Sequence, residues 1–132
     1  MATIRKQTTV DVSASRAWDA ARDFGNLHER LVPGFVTDAH LDGDARVVTF
    51  GSGAVLRERL IARDDDARRL VWSIVDGPYE HHNGSLEVVE RGPGQTEVVW
   101  TTDLLPDEAA GPTAAAMQEG IAVIKRTLEA PG

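Results

Sequence analysis

From Phe35 to Leu104 the apolar residues fall mostly at alternate positions, and short turns rich in glycine, proline and aspartate cut the run. The turns are Asp42-Gly43, Gly51-Ser52-Gly53, Asp64-Asp65-Asp66, Asp76-Gly77-Pro78 and Arg91-Gly92-Pro93-Gly94. Between them lie Phe35–Leu41, Arg46–Phe50, Ala54–Arg63, Arg69–Val75, Glu80–Glu90 and Gln95–Leu104. A period of two is the strand period. Links this short join antiparallel neighbours, because a parallel pair needs a crossover of about a dozen residues or more. The middle of the chain is therefore constrained to an antiparallel meander.

The flanks follow other patterns. Ile4–Val12 is rich in β-favouring residues and alternates through Thr8, Val10 and Val12, so it reads as a further strand. Ser13 is placed to cap a helix from Ala14 to about Phe24, with Val12 and Trp18 as a staple and Trp18 as its core anchor. Gly25 suits a left-handed end to that helix. Asn26 and Glu29 stand in capping-box spacing for a second, short helix that Pro33-Gly34 stops. At the other end Ala110, Ala114, Met117, Ile121, Ile124 and Leu128 form one stripe at spacings of three and four. Pro112 suits the first turn of this main helix, with Asp107–Gly111 as a separate lead-in. From Pro112 the helix is about 27 Å long. The order predicts an α+β fold: a seven-stranded antiparallel sheet curved around one long C-terminal helix, with two short helices between the first two strands.

Within the fifth strand segment, Asn83-Gly84 is open to two readings, a hairpin turn or a bulge in one long strand. A bulge is favoured, since Asp76-Gly77-Pro78 already supplies the preceding turn. Residues 1–132 show no repeat or linker and read as a single domain.

Composition removes several classes of function. With no cysteine, the chain has no disulfide framework, thiolate metal site or cysteine nucleophile. The net charge is −7 and both halves are acidic, so the basic stripe of a nucleic-acid binder is missing. No apolar run approaches the roughly 20 residues that span a bilayer, and the N-terminus lacks the apolar stretch of a signal peptide. The expectation is a cytoplasmic protein without membrane insertion, a monomer or a homodimer joined at a sheet edge. No metal is expected: there is no HExxH and no same-face His-x-His. Gly51-Ser52-Gly53 lacks the lysine and following helix of a phosphate loop, and reads instead as a mobile loop.

Six stretches, in this order and spacing, carry a family resemblance. They are Ser13-Ala14-Ser15-Arg16-Ala17-Trp18-Asp19, Asp23-Phe24-Gly25-Asn26-Leu27, Arg57-Glu58-Arg59-Leu60, Arg69 through Pro78, Gly84-Ser85-Leu86-Glu87-Val88 and Thr96-Glu97-Val98-Val99-Trp100. Over about Ile4 to Leu128 the chain resembles the START/pollen-allergen-like helix-grip superfamily (SRPBCC), and within it the polyketide cyclase/dehydrase-like branch. The resemblance implies a hydrophobic cavity between the sheet and the C-terminal helix. Its members carry or transform lipids, sterols, polyketides and other apolar or aromatic molecules. Many members of the family have a Trp shortly after the Asp-Phe-Gly stretch, where this chain has His28-Glu29-Arg30.

Strand parity then selects the inward side chains. Leu56, Glu58 and Leu60 share a face, as do Leu70, Trp72, Ile74 and Asp76, and Leu86 and Val88 match Val98, Trp100, Thr102 and Leu104. With no bulge His82 faces inward and His81 outward; a bulge at Gly84 exchanges them. Glu58 between two leucines is either desolvated and suited to acid/base work, or paired with an arginine. His81-His82-Asn83 is the one cluster rich in proton-transfer groups. Leu56, Trp72, Ile74, His81, Asn83, Trp100, Met117 and Ile121 are the candidate ligand contacts, and core packing is the alternative for the large ones.

The resemblance, taken with these residues, implies two alternative functions. The first is binding or carriage of an apolar or aromatic small molecule, without cofactor. The second is a cofactor-independent cyclase or dehydratase, with Glu58 and His82 as acid and base. An interaction domain is disfavoured, because the alternation predicts polar outer faces.

Overall fold

The computed structural model describes residues 1–131. Strands β1 (Ala2–Val10), β2 (Val36–Asp42), β3 (Ala45–Phe50), β4 (Val55–Asp64), β5 (Arg69–Ile74), β6 (His81–Gly92) and β7 (Gln95–Leu105) form one antiparallel sheet. Their order is β1-β7-β6-β5-β4-β3-β2. The meander runs from one edge inward, and β1 closes the far edge by pairing with β7, from Ala2 opposite Leu104 to Val10 opposite Thr96. Between β1 and β2 the chain forms α1 (Ala14–Ala21), a 3-10 turn (Phe24–Asn26) and α2 (Leu27–Arg30). The long helix α3 (Ala110–Glu129) follows β7 after a second 3-10 turn, Asp107–Ala109.

The local chemistry explains most of these boundaries. Ser13 Oγ accepts the Arg16 N–H at 3.1 Å and opens α1. Gly43, at a φ of 64°, makes the tight β2–β3 turn, with Asp42 paired to Ala45. Helix α3 begins at Ala110, two residues before the expected Pro112; as its third residue Pro112 still lies in the first turn, where no intrahelical N–H is needed. Its 20 residues give about 30 Å.

Two local expectations are corrected. Gly25 is not left-handed. It lies in the 3-10 turn, and a Cβ there would stand 2.9 Å from Leu41 Cγ. Asn26 does not cap α2. Its amide instead donates to both Asp23 carboxylate oxygens, at 3.0 and 3.1 Å.

The concave face divides into a solid half and a hollow half. Leu70, Leu86, Val88 and Val98 pack with Trp18, Phe24 and Ile124 in one continuous core. Next to Trp72 and Trp100, which line it, a cavity opens. Strand β6 decides what faces it. Burial alternates strictly from His81 (exposed) and His82 (buried) to Val88, and Gly84 pairs regularly with both Thr102 and Trp72. There is no bulge at Gly84; the irregularity in this strand lies between Glu90 and Gly92. The glycine is explained by packing, since a Cβ at Gly84 would stand 2.8 Å from the Trp72 indole.

Candidate functional site

The hollow has a volume of about 610 Å³, within the roughly 300–1,000 Å³ range of small-molecule sites. Its walls come from every layer of the fold. Leu56, Trp72, Ile74 and Trp100 line it from the sheet, Met117 and Ile124 from α3, and Leu31 and Phe35 from the segment around and after α2. The 51–54 loop lies along it, tethered by the Gly51 N–H to Phe35 O at 2.8 Å and the Phe50 N–H to Ala54 O at 2.8 Å.

A buried ion pair forms one polar end. Arg46 on β3 and Glu58 on β4 stand opposite each other in register and are only 4% and 5% exposed. Arg46 Nε and Nη2 both reach Glu58 Oε1 at 2.8 Å, and Nη1 donates to Phe24 O at 3.1 Å. The guanidinium lies 4.0 Å from the Phe24 ring centroid and 5.6 Å from that of Trp72. Burial pulls the Arg46 pKa down while Glu58 opposes it, and arginine stays charged in proteins. Among the described residues no side chain or backbone group donates to Glu58 Oε2. Of the two readings of Glu58, the arginine pair is the one observed, in a residue that also lines the cavity.

His82 is a second polar point. Its Nδ1 accepts the Ile74 backbone N–H at 3.1 Å, a bond that stands in for the next rung of the β5–β6 ladder. Ser73 Oγ, on the opposite face of β5, donates to His82 O. An acceptor at Nδ1 places the ring proton on Nε2. Burial brings the His82 pKa down from 6.5 to about 4, against a smaller upward pull from its own backbone and with a further small push from His81, so the imidazole is neutral at pH 7. Glu58 pairs with Ile74, and His82 bonds to it from the other side. The two are thus two strands apart, about 10 Å at the backbone, on the same face.

The Tyr79 ring lies 4.9 Å from that of His82, and its hydroxyl hydrogen-bonds Thr113 Oγ1 on α3 at 2.7 Å. This contact ties the β5–β6 connection to the helix. Trp72 and Trp100 stand 6.4 Å apart at 52°. Small residues admit both rings: Gly84 for Trp72, and Gly120 for Trp100, where a Cβ would come within 2.7 Å.

Of the sequence candidates, Leu56, Glu58, Trp72, Ile74, His82, Trp100 and Met117 line the cavity. Three do not. His81 is exposed and Asn83 half-buried; both lie at outward positions of the unbroken β6, which corrects the expectation that they reach the hollow. Ile121 is buried in the core instead. At 100° per residue it lies about 40° around α3 from Met117, away from Thr113 and Ala116, which face the cavity.

Arg46, Tyr79 and Thr113 were not anticipated. Arg46 had a readable signal: a hairpin centred on Ser52 places it opposite Glu58. Tyr79 and Thr113 had none, because a loop residue and a helix residue meet across 34 positions. Among the described residues no three His, Asp or Glu side chains come together as metal ligands, and no helix is long and apolar enough to cross a membrane.

A seven-stranded sheet holding an apolar hollow against one long helix defines the START-like, helix-grip class of cavity proteins. The chain belongs to the polyketide cyclase/dehydrase and lipid transport family, whose model matches residues 1–130. A protein from Thermobifida fusca, known by solution NMR, is 32% identical over 98% of this chain and 91% of its own, with a TM-score of 0.80. A START superfamily protein from Mycobacterium smegmatis shares the fold at 12% identity, with a TM-score of 0.72 over 94% of this chain and 97% of its own. Norcoclaurine synthase from Thalictrum flavum, in complex with dopamine and hydroxybenzaldehyde, does so at 22% identity, with a TM-score of 0.70 over 99% and 88%. The sequence matches no curated protein.

Proposed function

We propose that this protein binds one small apolar or aromatic molecule in the sheet–helix cavity and holds it without converting it. The observation that carries this reading is the hollow itself, about 610 Å³ lined mostly by aromatic and aliphatic side chains, with Arg46, Glu58 and His82 among its buried polar groups. A core that only had to fold would close such a space, since each unfilled volume costs packing energy.

The rival reading, a cyclase or dehydratase with Glu58 and His82 as acid and base, has less support. His82 in its bonded tautomer presents an N–H and no lone pair to the cavity, so it can donate a hydrogen bond but not accept a proton. Glu58 is held by Arg46 and stands two strands away.

Native mass spectrometry of freshly purified protein, followed by solvent extraction, tests the proposal. The expected result is a mass excess of one small molecule, recovered unchanged on incubation with the protein and reduced in Ile74→Trp, whose larger ring narrows the hollow. No excess, or the same excess in Ile74→Trp, refutes cavity binding. Conversion of the recovered compound refutes the carrier reading in favour of the enzyme.

A further inference from the structure

We propose that the cavity selects uncharged ligands that bring a hydroxyl donor to Glu58 and a hydrogen-bond acceptor to His82, and that it rejects carboxylates. The inference rests on the proposal that the cavity binds an apolar molecule, and it adds the charge and polarity of that molecule.

The polar groups at the ends of the hollow are unequal. On the Arg46–Glu58 side the cation is balanced: Nε donates to Glu58 Oε1 and Nη2 stands 2.8 Å from the same oxygen, Nη1 donates to Phe24 O, and the Phe24 and Trp72 rings lie over the planar group. The anion is only half used, because Nε and Nη2 both address Oε1 and Oε2 takes no hydrogen bond from the described residues. A carboxylate oxygen can only accept. The ligand group that satisfies it is therefore a donor, and a hydroxyl on an aromatic or alicyclic ring supplies one without bringing charge.

At His82 the requirement is the reverse. Nδ1 is occupied by the Ile74 N–H, which leaves Nε2–H as the free group on the ring. A carbonyl, ether or hydroxyl oxygen satisfies it. The two points lie on neighbouring stretches of one sheet face, separated by the backbone of β5, with Trp72 and Ile74 between them. A rigid ring system laid over these two side chains presents its opposite edges to the two points.

Charge decides against acids. Arg46 and Glu58 cancel, and His82 is neutral, so nothing buried in the wall is left to balance an incoming anion. A fatty or aromatic acid would meet Glu58 as a like charge on a buried side chain, where such repulsion is screened less than in water. Glu119, which also lines the cavity but is exposed, adds a second, solvent-screened negative group.

Three probes of one ring size separate the terms: naphthalene, 2-naphthol and 2-naphthoate, measured by calorimetry on the intact protein at neutral pH. The expected order places 2-naphthol at least tenfold tighter than naphthalene, the factor a hydrogen bond to a charged group supports, and 2-naphthoate at least tenfold weaker than 2-naphthol. Glu58→Gln leaves the Arg46 charge unmatched, so 2-naphthoate should gain at least tenfold and 2-naphthol should lose its advantage. Arg46→Met with Glu58→Leu removes the acceptor without leaving a lone buried charge, and should bring 2-naphthol within about threefold of naphthalene. Binding of 2-naphthoate as tight as 2-naphthol in the wild type overturns the charge rule while leaving cavity binding intact. Binding of none of the three overturns both.

Discussion

Lowering the pH tests the assignment of His82 as a neutral, buried donor. In the folded protein its pKa is about 4, against an ordinary 6.5. As pH falls below 6.5 the unfolded chain takes up a proton at this position and the folded chain does not, so stability falls. The contribution is complete above 6.5, is lost through the window from 6.5 to 4, and is absent below it. The gap corresponds to about 3 kcal/mol in full, of which about 2 kcal/mol is gone by pH 5.

Urea unfolding of the wild type and His82→Phe at pH 7 and pH 5 isolates this term, because the other titrating groups are shared and the variant's own folding cost cancels in the difference. Wild type should lose about 2 kcal/mol more than the variant between the two pH values. The C2–H resonance of His82 gives the same information without a variant, and should not titrate above about pH 5. Equal losses in the two proteins, or a His82 resonance that titrates near 6.5, would refute the buried neutral imidazole and with it the Nε2–H donor.

Two substitutions test the walls. Gly84→Ala places a methyl 2.8 Å from the Trp72 indole, so the ring must shift. A loss of about 1–3 kcal/mol in urea unfolding and a changed near-UV tryptophan signal are expected, and an unchanged signal would mean that Gly84 does not seat this ring. Arg46→Met leaves Glu58 buried and unpaired and should cost about 3–5 kcal/mol. Arg46→Met with Glu58→Leu should recover most of that loss; a double variant as unstable as the single one would show that the ion pair is not the source of the cost.

Much of this architecture was readable because the sheet is one meander. Each short turn fixes an antiparallel partner, and each strand shows its inner face by alternation, so Trp72, Trp100 and Glu58 could be assigned inward from parity alone. Parity failed where one residue could change it. Gly84 was readable as a bulge, which left His81 and His82 interchangeable. The deciding fact was the Trp72 ring on the neighbouring strand, which no local pattern contains. Ile121 missed the cavity for a similar reason: a helical stripe identifies the inner side of α3, but about 40° within that side separates core from hollow. The tautomer of His82 depends on the Ile74 N–H, a contact set by how the end of β5 parts from β6.

The central claim, that a small molecule occupies this hollow, can be read at a single atom. The chain has two methionines, Met1, exposed at the N-terminus, and Met117, buried in the cavity wall. With methyl-13C methionine, titration with 2-naphthol should move the Met117 methyl resonance saturably while Met1 stays in place. If Met117 is unmoved, or if both shift together without saturation, the cavity is not the binding site.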